Sequence, residues 1–248
     1  DRTGTAGYNT ATNGDYMNGF GGTSASAPVT TGVVSLMLDA NDRLGWRDVQ
    51  NILAYSAMAT GSLQTGVRTN ENSKWGFDGA NNWNGGGLHY SEDYGYGLLN
   101  AHAAVRMAEV WTRLYGVAGT SANEAHITVT NTPNLNLVDA TGTLLNITSG
   151  VARYSFTVAE NITLDHVDLT LDLTHSYFPE LRITLISPSG TTYSLYDGSS
   201  GDATTADAGI NYAFGVDGLR GEMSAGIWTV QVTDTDVYDS GILRGVTF

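Results

Sequence analysis

A serine-containing heptapeptide that opens a long apolar run constrains this chain more than any other stretch. The residues are Gly22-Thr23-Ser24-Ala25-Ser26-Ala27-Pro28, and Pro28 begins a mainly apolar run over residues 28–40. The run is apolar on nearly every face, which predicts a helix that is buried all round. Ser24 would then lie at a helix start, where free N–H groups and partial positive charge suit a nucleophile whose attack creates an oxyanion.

The heptapeptide resembles the serine motif of subtilisin-like proteases, and its second half, Ala25-Ser26-Ala27-Pro28, resembles the kexin/furin (proprotein convertase) branch. The resemblance implies that Ser24 is the catalytic nucleophile and that Ser26 is a packing residue. The competing hydrolase pattern Gly-x-Ser-x-Gly is not met, because Ser26 occupies the final glycine position. A second interpretation of Ser24 is an N-cap that only fixes the helix end.

The catalytic triad of this family runs Asp, His, Ser along the chain. The 23 residues before Ser24 contain Asp1 and Asp15 but no histidine. The resemblance implies that the triad Asp and His and the oxyanion Asn lie upstream. We therefore expect the chain to hold the end of a catalytic domain, and we expect this segment alone to be inactive.

The five histidines all follow Ser24, and none matches a catalytic position of the family. We expect each to be a surface or interdomain residue, with a packing role for the one on the helix that Asn100 opens. They are His89, His102, His126, His166 and His175.

The apolar period changes in the second half of the chain. Residues 167–173 and 228–232 alternate apolar and polar side chains, and residues 181–186 precede a Ser-Pro-Ser-Gly turn. Many short strands separated by turns predict an all-β sandwich or jelly roll. Before it, periodicities of three and four predict helices over 46–57 and from Asn100 to about Leu114.

The second half resembles the P (Homo B) domain of kexin-type proteases. The segments that carry this resemblance are 164–167, 181–191, 211–214, 226–230 and 241–248. The predicted fold class is therefore two domains, the C-terminal part of an α/β subtilisin-like domain over 1–113 and an all-β jelly-roll P domain over 114–248. The resemblance implies that the β domain folds against the catalytic domain and stabilises it.

Acidic residues dominate the second half. The net charge is −14, and residues 114–248 carry 15 acidic against 4 basic side chains. This balance argues against nucleic acid or an anionic membrane as a partner, and it fits either calcium or a solvated surface. The acidic groups are Asp168 and Asp172 on one strand, Asp197, Asp202 and Asp207 in one loop, and Asp234, Asp236 and Asp239 in another.

Calcium is implied in the complete enzyme by the family resemblance, with its ligands mostly upstream. The sequence holds no twelve-residue EF-hand pattern and assigns no metal site. It also lacks cysteine and any membrane-spanning apolar stretch. We expect a secreted or extracellular bacterial protein, with a periplasmic or cell-surface location as variants of that expectation.

The function predicted from these features is a serine endopeptidase that cleaves peptide bonds through an acyl-enzyme on Ser24. Its partners would be a protein or peptide substrate and the upstream remainder of the catalytic domain. The alternative is a non-catalytic fragment whose jelly roll acts as a binding or stabilising module. An exposed platform of aromatic side chains would favour that alternative, and the candidates for it are Tyr193, Tyr196, Tyr212 and Tyr238.

Overall fold

The computed structural model describes residues 21–60, 75–81, 86–91, 94–143, 146–198 and 209–248. Packing divides the chain into two compact units. The first takes in the chain up to Ala57 together with Leu99–Thr120, and the second takes in Met58–Leu98 together with Ser121–Phe248. The boundary at 113/114 stays a prediction, and the second unit also includes Met58–Leu98.

Three helices build the first unit: α1 (Thr23–Ala40), α2 (Trp46–Ser56) and α3 (Ala101–Tyr115). Both α1 and α2 pack against α3. Their shared core consists of Val33, Met37, Ile52, Ala104, Ala108 and Trp111. The predicted cap of α3 is confirmed, since Asn100 Oδ1 accepts the Ala103 N–H at 3.0 Å, as an N-cap asparagine does.

Helix α1 is not buried all round within the described part of the chain, so that prediction was wrong for it. Only Val33 and Met37 are buried, whereas Val29 is 62% exposed and Leu36 is 55% exposed. The helix meets α3 along one seam, and an apolar helix is enclosed only when packing partners lie on its other faces as well.

Asp48 connects the parts of the first unit through one buried carboxylate. Its Oδ2 accepts the backbone N–H of Gly45 at 2.8 Å and that of Gly119 at 2.9 Å. Its Oδ1 accepts the Trp111 indole N–H at 2.8 Å. The side chain thus fixes the start of α2, the chain after α3 and the largest core residue together.

The described residues of the second unit form thirteen strands. They are β1 (Gly76–Phe77), β2 (His89–Tyr90), β3 (Thr130–Asn131), β4 (Leu135–Asn136), β5 (Thr141–Thr143), β6 (Asn146–Thr148), β7 (Gly150–Val158), β8 (Val167–His175), β9 (Leu181–Ile186), β10 (Thr192–Tyr196), β11 (Ile210–Val216), β12 (Gly226–Asp234) and β13 (Gly241–Thr247). The predicted strands over 167–173, 181–186 and 228–232 are confirmed as β8, β9 and β12.

The longer strands form two antiparallel sheets, which gives the predicted β-sandwich. One sheet has the order β10-β9-β12-β7, and the other has the order β11-β8-β13-β3, with β4 also paired to β13. In the first sheet Trp228 lies opposite Phe156, and Val230 lies opposite both Tyr154 and Leu185.

Alternation along the strands fills the sandwich with apolar side chains. The inward faces of β8 and β12 carry fully or nearly fully buried residues, namely Val167, Leu169, Leu171 and Leu173 from β8 and Trp228, Val230 and Val232 from β12. On each of these two strands the row of inward-facing residues, here called its inward stripe, continues by one more position at the C-terminal end. Those positions are His175 and Asp234, and both are buried.

The described residues 75–81 contact this sandwich through a hydrogen bond to Glu222, which is 1% exposed. Glu222 Oε1 accepts the Gly79 N–H at 2.7 Å, and Oε2 accepts the Ser189 hydroxyl at 2.8 Å. Position 79 needs glycine, because a Cβ there would lie 2.2 Å from Ser189 Oγ. Beside it, the hydroxyls of Tyr90 and Tyr193 lie 3.0 Å apart.

Asp78 is a second buried carboxylate in the same segment. Its Oδ1 accepts the N–H groups of Ala80 at 3.0 Å and Leu88 at 2.6 Å, while its Oδ2 is buried without a hydrogen-bond partner. Burial raises the pKa of Asp78 to about 6, the two N–H groups lower it, and the neighbouring Glu222 charge raises it.

Replacing Asp48 by alanine should destabilise the first unit by about 3 kcal/mol or more. Two buried N–H donors and one partly buried donor would lose their acceptor, and each buried unsatisfied group costs about 1–3 kcal/mol. Urea unfolding followed by far-UV circular dichroism measures the loss. The matched control is Asp39→Ala on the exposed end of α1, expected to change stability by less than about 0.5 kcal/mol. Equal effects of the two substitutions would contradict the role assigned to Asp48.

Asp78→Asn should become stabilising relative to the original chain as the pH rises from about 4 to 7. The folded state keeps a proton on Asp78 up to a pKa of about 6, whereas the ordinary pKa of an aspartate side chain is 3.8. Stability from this group is therefore fully present below pH 3.8 and is lost as the pH rises through 6, at up to about 1.4 kcal/mol for each pH unit crossed.

Asparagine keeps an acceptor for the N–H groups of Ala80 and Leu88 but cannot ionise. The difference in unfolding free energy between Asp78→Asn and the original chain therefore changes with pH only through the ionisation of Asp78. Urea unfolding of both proteins at a series of pH values provides the measurement. A stability difference that stays constant across this range would show that Asp78 does not titrate as described.

Candidate functional site

Ser24 is the second residue of α1, and its side chain is exposed. Gly22 is the N-cap residue and has a φ of 74°, a left-handed conformation that favours glycine. The alternative interpretation of Ser24 as the N-cap was therefore wrong. The serine lies one position inside the helix, with its hydroxyl at the surface of the described structure.

The first turn of α1 presents its backbone N–H groups toward the chain start. The N–H groups of Ala25 and Ser26 both reach Gly22 O, at 3.0 and 3.2 Å. Those of Thr23 and Ser24 precede the first intrahelical bond of an α-helix, so the helix offers them no acceptor of its own. Pro28 lacks an N–H and leaves the Ser24 carbonyl without its usual helical donor.

Ser26 does not have the packing role that the resemblance implies, at least toward the described residues. Its side chain is exposed, and its hydroxyl donates to Gly22 O at 3.2 Å. That bond follows the backbone hydrogen-bond pattern of the first turn and supports the local geometry around Ser24.

The structure brings no histidine to Ser24 within the part of the first unit that it describes. Of the five histidines, His102 alone falls in that unit, and it is exposed at the start of α3. The packing role predicted for His102 was therefore wrong. No hydrogen bond joins it to Ser24.

Two histidines of the second unit have defined carboxylate partners. His166 is partly exposed and lies 2.9 Å from both Asp168 and Asp217. Burial lowers the pKa of His166, but the two carboxylates outweigh this effect and raise it overall. His175 is 2% exposed, so the expectation of a surface or interdomain residue was wrong for it. The alternation of β8, extended by one inward position, was the signal that could have predicted its burial.

The acidic residues that the sequence singled out have different environments. Asp168 and Asp172 have side chains that are 73% and 43% exposed, and Asp197 is exposed after β10. Asp202 and Asp207 lie outside the described residues. Only Asp234 is buried, and the structure places it beside His175 and Glu180, two residues that sequence reasoning did not connect with it.

The four tyrosines that could have formed an aromatic platform do not share one surface. Tyr193 and Tyr196 on β10 are partly buried and pack against the sandwich core. Tyr212 lies on β11 in the other sheet, and Tyr238 lies in the loop after β12. None of the described helices has the combined length and apolar character that a membrane crossing requires.

Comparisons with known proteins match two families to separate parts of the chain. Residues 3–97 match the Subtilase family, and residues 164–247 match the Proprotein convertase P-domain. The chain is similar to PC3-like endoprotease variant B of Hydra vulgaris, at 28% identity over 89% of this chain and 28% of that protein. It is also similar to proprotein convertase subtilisin/kexin type 5 of Rattus norvegicus, at 32% identity over 86% of this chain and 11% of that protein.

A solved structure shares the fold. The crystal structure of the serine protease of Aeromonas sobria aligns with 95% of this chain and 44% of that chain, with a TM-score of 0.61 and 21% sequence identity. The chain thus spans less than half of that structure and about a quarter or less of the two curated relatives. The chain therefore combines a segment of the Subtilase family, residues 3–97, with a proprotein convertase P-domain, residues 164–247.

Proposed function

We propose that this chain carries the nucleophile of a serine endopeptidase and that Ser24 is that nucleophile. The observation that supports this most strongly is the position of Ser24, whose side chain is exposed in the first turn of α1. It lies two residues after Gly22, the N-cap residue with a left-handed conformation. It lies within the residues that match the Subtilase family.

In this proposal Ser24 Oγ attacks the scissile carbonyl of a protein or peptide substrate, and its proton passes to a histidine base. The same histidine then gives the proton to the leaving amine, and water hydrolyses the acyl-enzyme. The Ser24 N–H, which has no helical acceptor, would donate to the oxyanion. One such donor is worth about 10²–10³ in turnover.

We further propose that the triad Asp and His and the oxyanion Asn come from residues outside this chain, and that this chain alone is inactive. The exposed apolar side chains of α1, among them Val29 and Leu36, support this proposal. They offer a surface on which the remainder of a catalytic domain would be buried. Calcium dependence and a secreted or extracellular location belong to the same proposal and follow from the family relationship.

The sandwich has a stabilising role in this proposal. Gly79 and Tyr90 lie within the residues that match the Subtilase family, and they bond to Glu222 and Tyr193 of the sandwich. Because Glu222 is buried, this contact is specific and shielded from water. The four candidate tyrosines are dispersed among the described residues, so they give no support to the alternative of an aromatic binding platform on the sandwich.

Ser24→Ala should reduce peptide hydrolysis by about 10⁶-fold in the protein that supplies the complete triad, because removal of a triad serine costs about that much. The measurement is kcat/KM on a fluorogenic peptide, with circular dichroism to show that the fold is kept. A fluorophosphonate probe should label Ser24 in that protein and should not label this chain alone.

The matched control is Ser26→Ala, which removes a hydroxyl two residues away and only its bond to Gly22 O. It should retain probe labelling and most of the activity. Activity that survives Ser24→Ala would disprove the role of Ser24. Labelling of the isolated chain at Ser24 would instead show that the base lies within it.

A further inference from the structure

Three ionisable side chains close one end of the sandwich core. The inward stripes of β8 and β12 end in His175 and Asp234, and Glu180 lies in the short 3₁₀ turn Phe178–Glu180 just before β9. Their side chains are 0%, 1% and 6% exposed, respectively. The other inward positions of β8 and β12 are apolar, so His175 and Asp234 are polar exceptions in the core.

The hydrogen bonds of this cluster are incomplete. Asp234 is satisfied, since Oδ1 accepts the Asp236 N–H at 3.2 Å and Oδ2 lies 3.2 Å from His175 Nε2. Glu180 Oε1, by contrast, is buried and has no hydrogen-bond partner; His175 Nδ1 lies 3.6 Å away. A buried carboxylate oxygen without a donor is costly, and the usual remedies are a proton or a cation.

Asp139 adds a second oxygen of the same kind. It lies between β4 and β5, and its Oδ2 accepts the Tyr238 N–H at 3.2 Å. Its Oδ1 is buried and, like Glu180 Oε1, has no hydrogen-bond partner. Two unpartnered carboxylate oxygens from separate loops therefore occur in one acidic environment.

The cluster carries more negative than positive charge. Burial raises the pKa of Glu180 to about 8, and the charges of Asp234, Asp239, Asp236 and Asp139 raise it as well. Burial likewise raises the pKa of Asp234, although the Asp236 N–H and His175 lower it. The repulsion among these carboxylates is what a bound cation would relieve.

We propose that this end of the sandwich binds one calcium ion through the carboxylates of Glu180 and Asp234, with the negative charge of Asp139 attracting the ion from beside them. The candidate ligand atoms of His175, Glu180 and Asp234 all lie within 4.8 Å of one another. Calcium–oxygen distances of about 2.3–2.6 Å allow two ligands of one ion to lie up to about 5 Å apart. Water and backbone carbonyls supply the remaining oxygens.

The donor chemistry favours calcium over zinc. The atoms that lack a partner are carboxylate oxygens, which calcium prefers. His175 already lies 3.2 Å from Asp234 through Nε2 and 3.0 Å from Tyr177 O through Nδ1. It therefore acts as a positioning residue that orients the Asp234 carboxylate, as partners outside the ligand set do in metal sites. This proposal does not rest on the proposed peptidase activity.

The test uses the whole 248-residue chain after treatment with a chelator. Thermal unfolding is measured with calcium, magnesium, zinc and sodium chloride at matched ionic strength, and calorimetric titration gives the affinity and the number of ions. We expect calcium to raise the melting temperature more than the other salts. Glu180→Gln and Asp139→Asn should each weaken calcium binding at this site by at least about tenfold, and His175→Gln by about tenfold.

Glu180→Gln should also give a diagnostic reversal. Without calcium it should melt higher than the original chain, because the buried carboxylate oxygen without a donor is gone, yet it should gain less from calcium. The control Glu160→Gln, at an exposed position, should keep the full calcium response. If Glu180→Gln does not fold, Asp139→Asn alone decides, since Asp139 is only partly buried.

Equal stabilisation by calcium and sodium chloride would overturn the proposal, because it would reduce the effect to screening. A calcium response that is unchanged in both Glu180→Gln and Asp139→Asn would also overturn it. Stabilisation by zinc instead of calcium, lost in His175→Gln, would overturn the choice of ion.

Discussion

The two-residue alternation of the long strands is the constraint on which the rest of the second unit depends. Every second side chain of β8 and β12 enters the space between the sheets, and apolar residues fill it. A polar side chain that falls on this inward register must find a partner or lose stability. His175 and Asp234 fall on it at the ends of their strands, and this placement explains why they meet there.

Buried carboxylates also determine how the chain divides. Residues 3–97 match the Subtilase family, yet their last described part packs with the sandwich. Glu222 provides the link by accepting the Gly79 N–H, and Asp78 orders the same segment by accepting two N–H groups. A hydrogen bond to a buried charged group is worth about 1.5–3 kcal/mol. Family boundaries and packing boundaries therefore need not coincide in such a protein.

Local patterns predicted most of the fold. The three-and-four spacing predicted α2 and α3, the Asn100 cap has the expected bond, and alternation predicted the long strands. Each of these depends on a short stretch of sequence. The burial of α1 was not predictable in this way, because it depends on which distant residues pack against the helix.

The serine motif gave the family, but it could not show which side chains meet Ser24. The cluster of His175, Glu180 and Asp234 was equally hidden, since its members are 59 residues apart at the extremes and come from three elements. If the alternation of β8 and β12 had been extended by two residues at the C-terminal end of each strand, it would have predicted the burial of His175 and Asp234. Glu180 lies in a 3₁₀ turn and follows no such period.

Native-state hydrogen exchange tests most directly whether the segment formed by the described residues 75–81 and 86–91 is a structural part of the sandwich. The amides to follow are those of Gly79 and Leu88, bound to the Glu222 and Asp78 carboxylates, with Val230 in β12 as the reference. If the segment and the sandwich form one cooperative unit, Gly79 and Leu88 should open with a free energy close to that of Val230. Exchange of both amides at nearly unprotected rates, with Val230 still protected, would contradict this account.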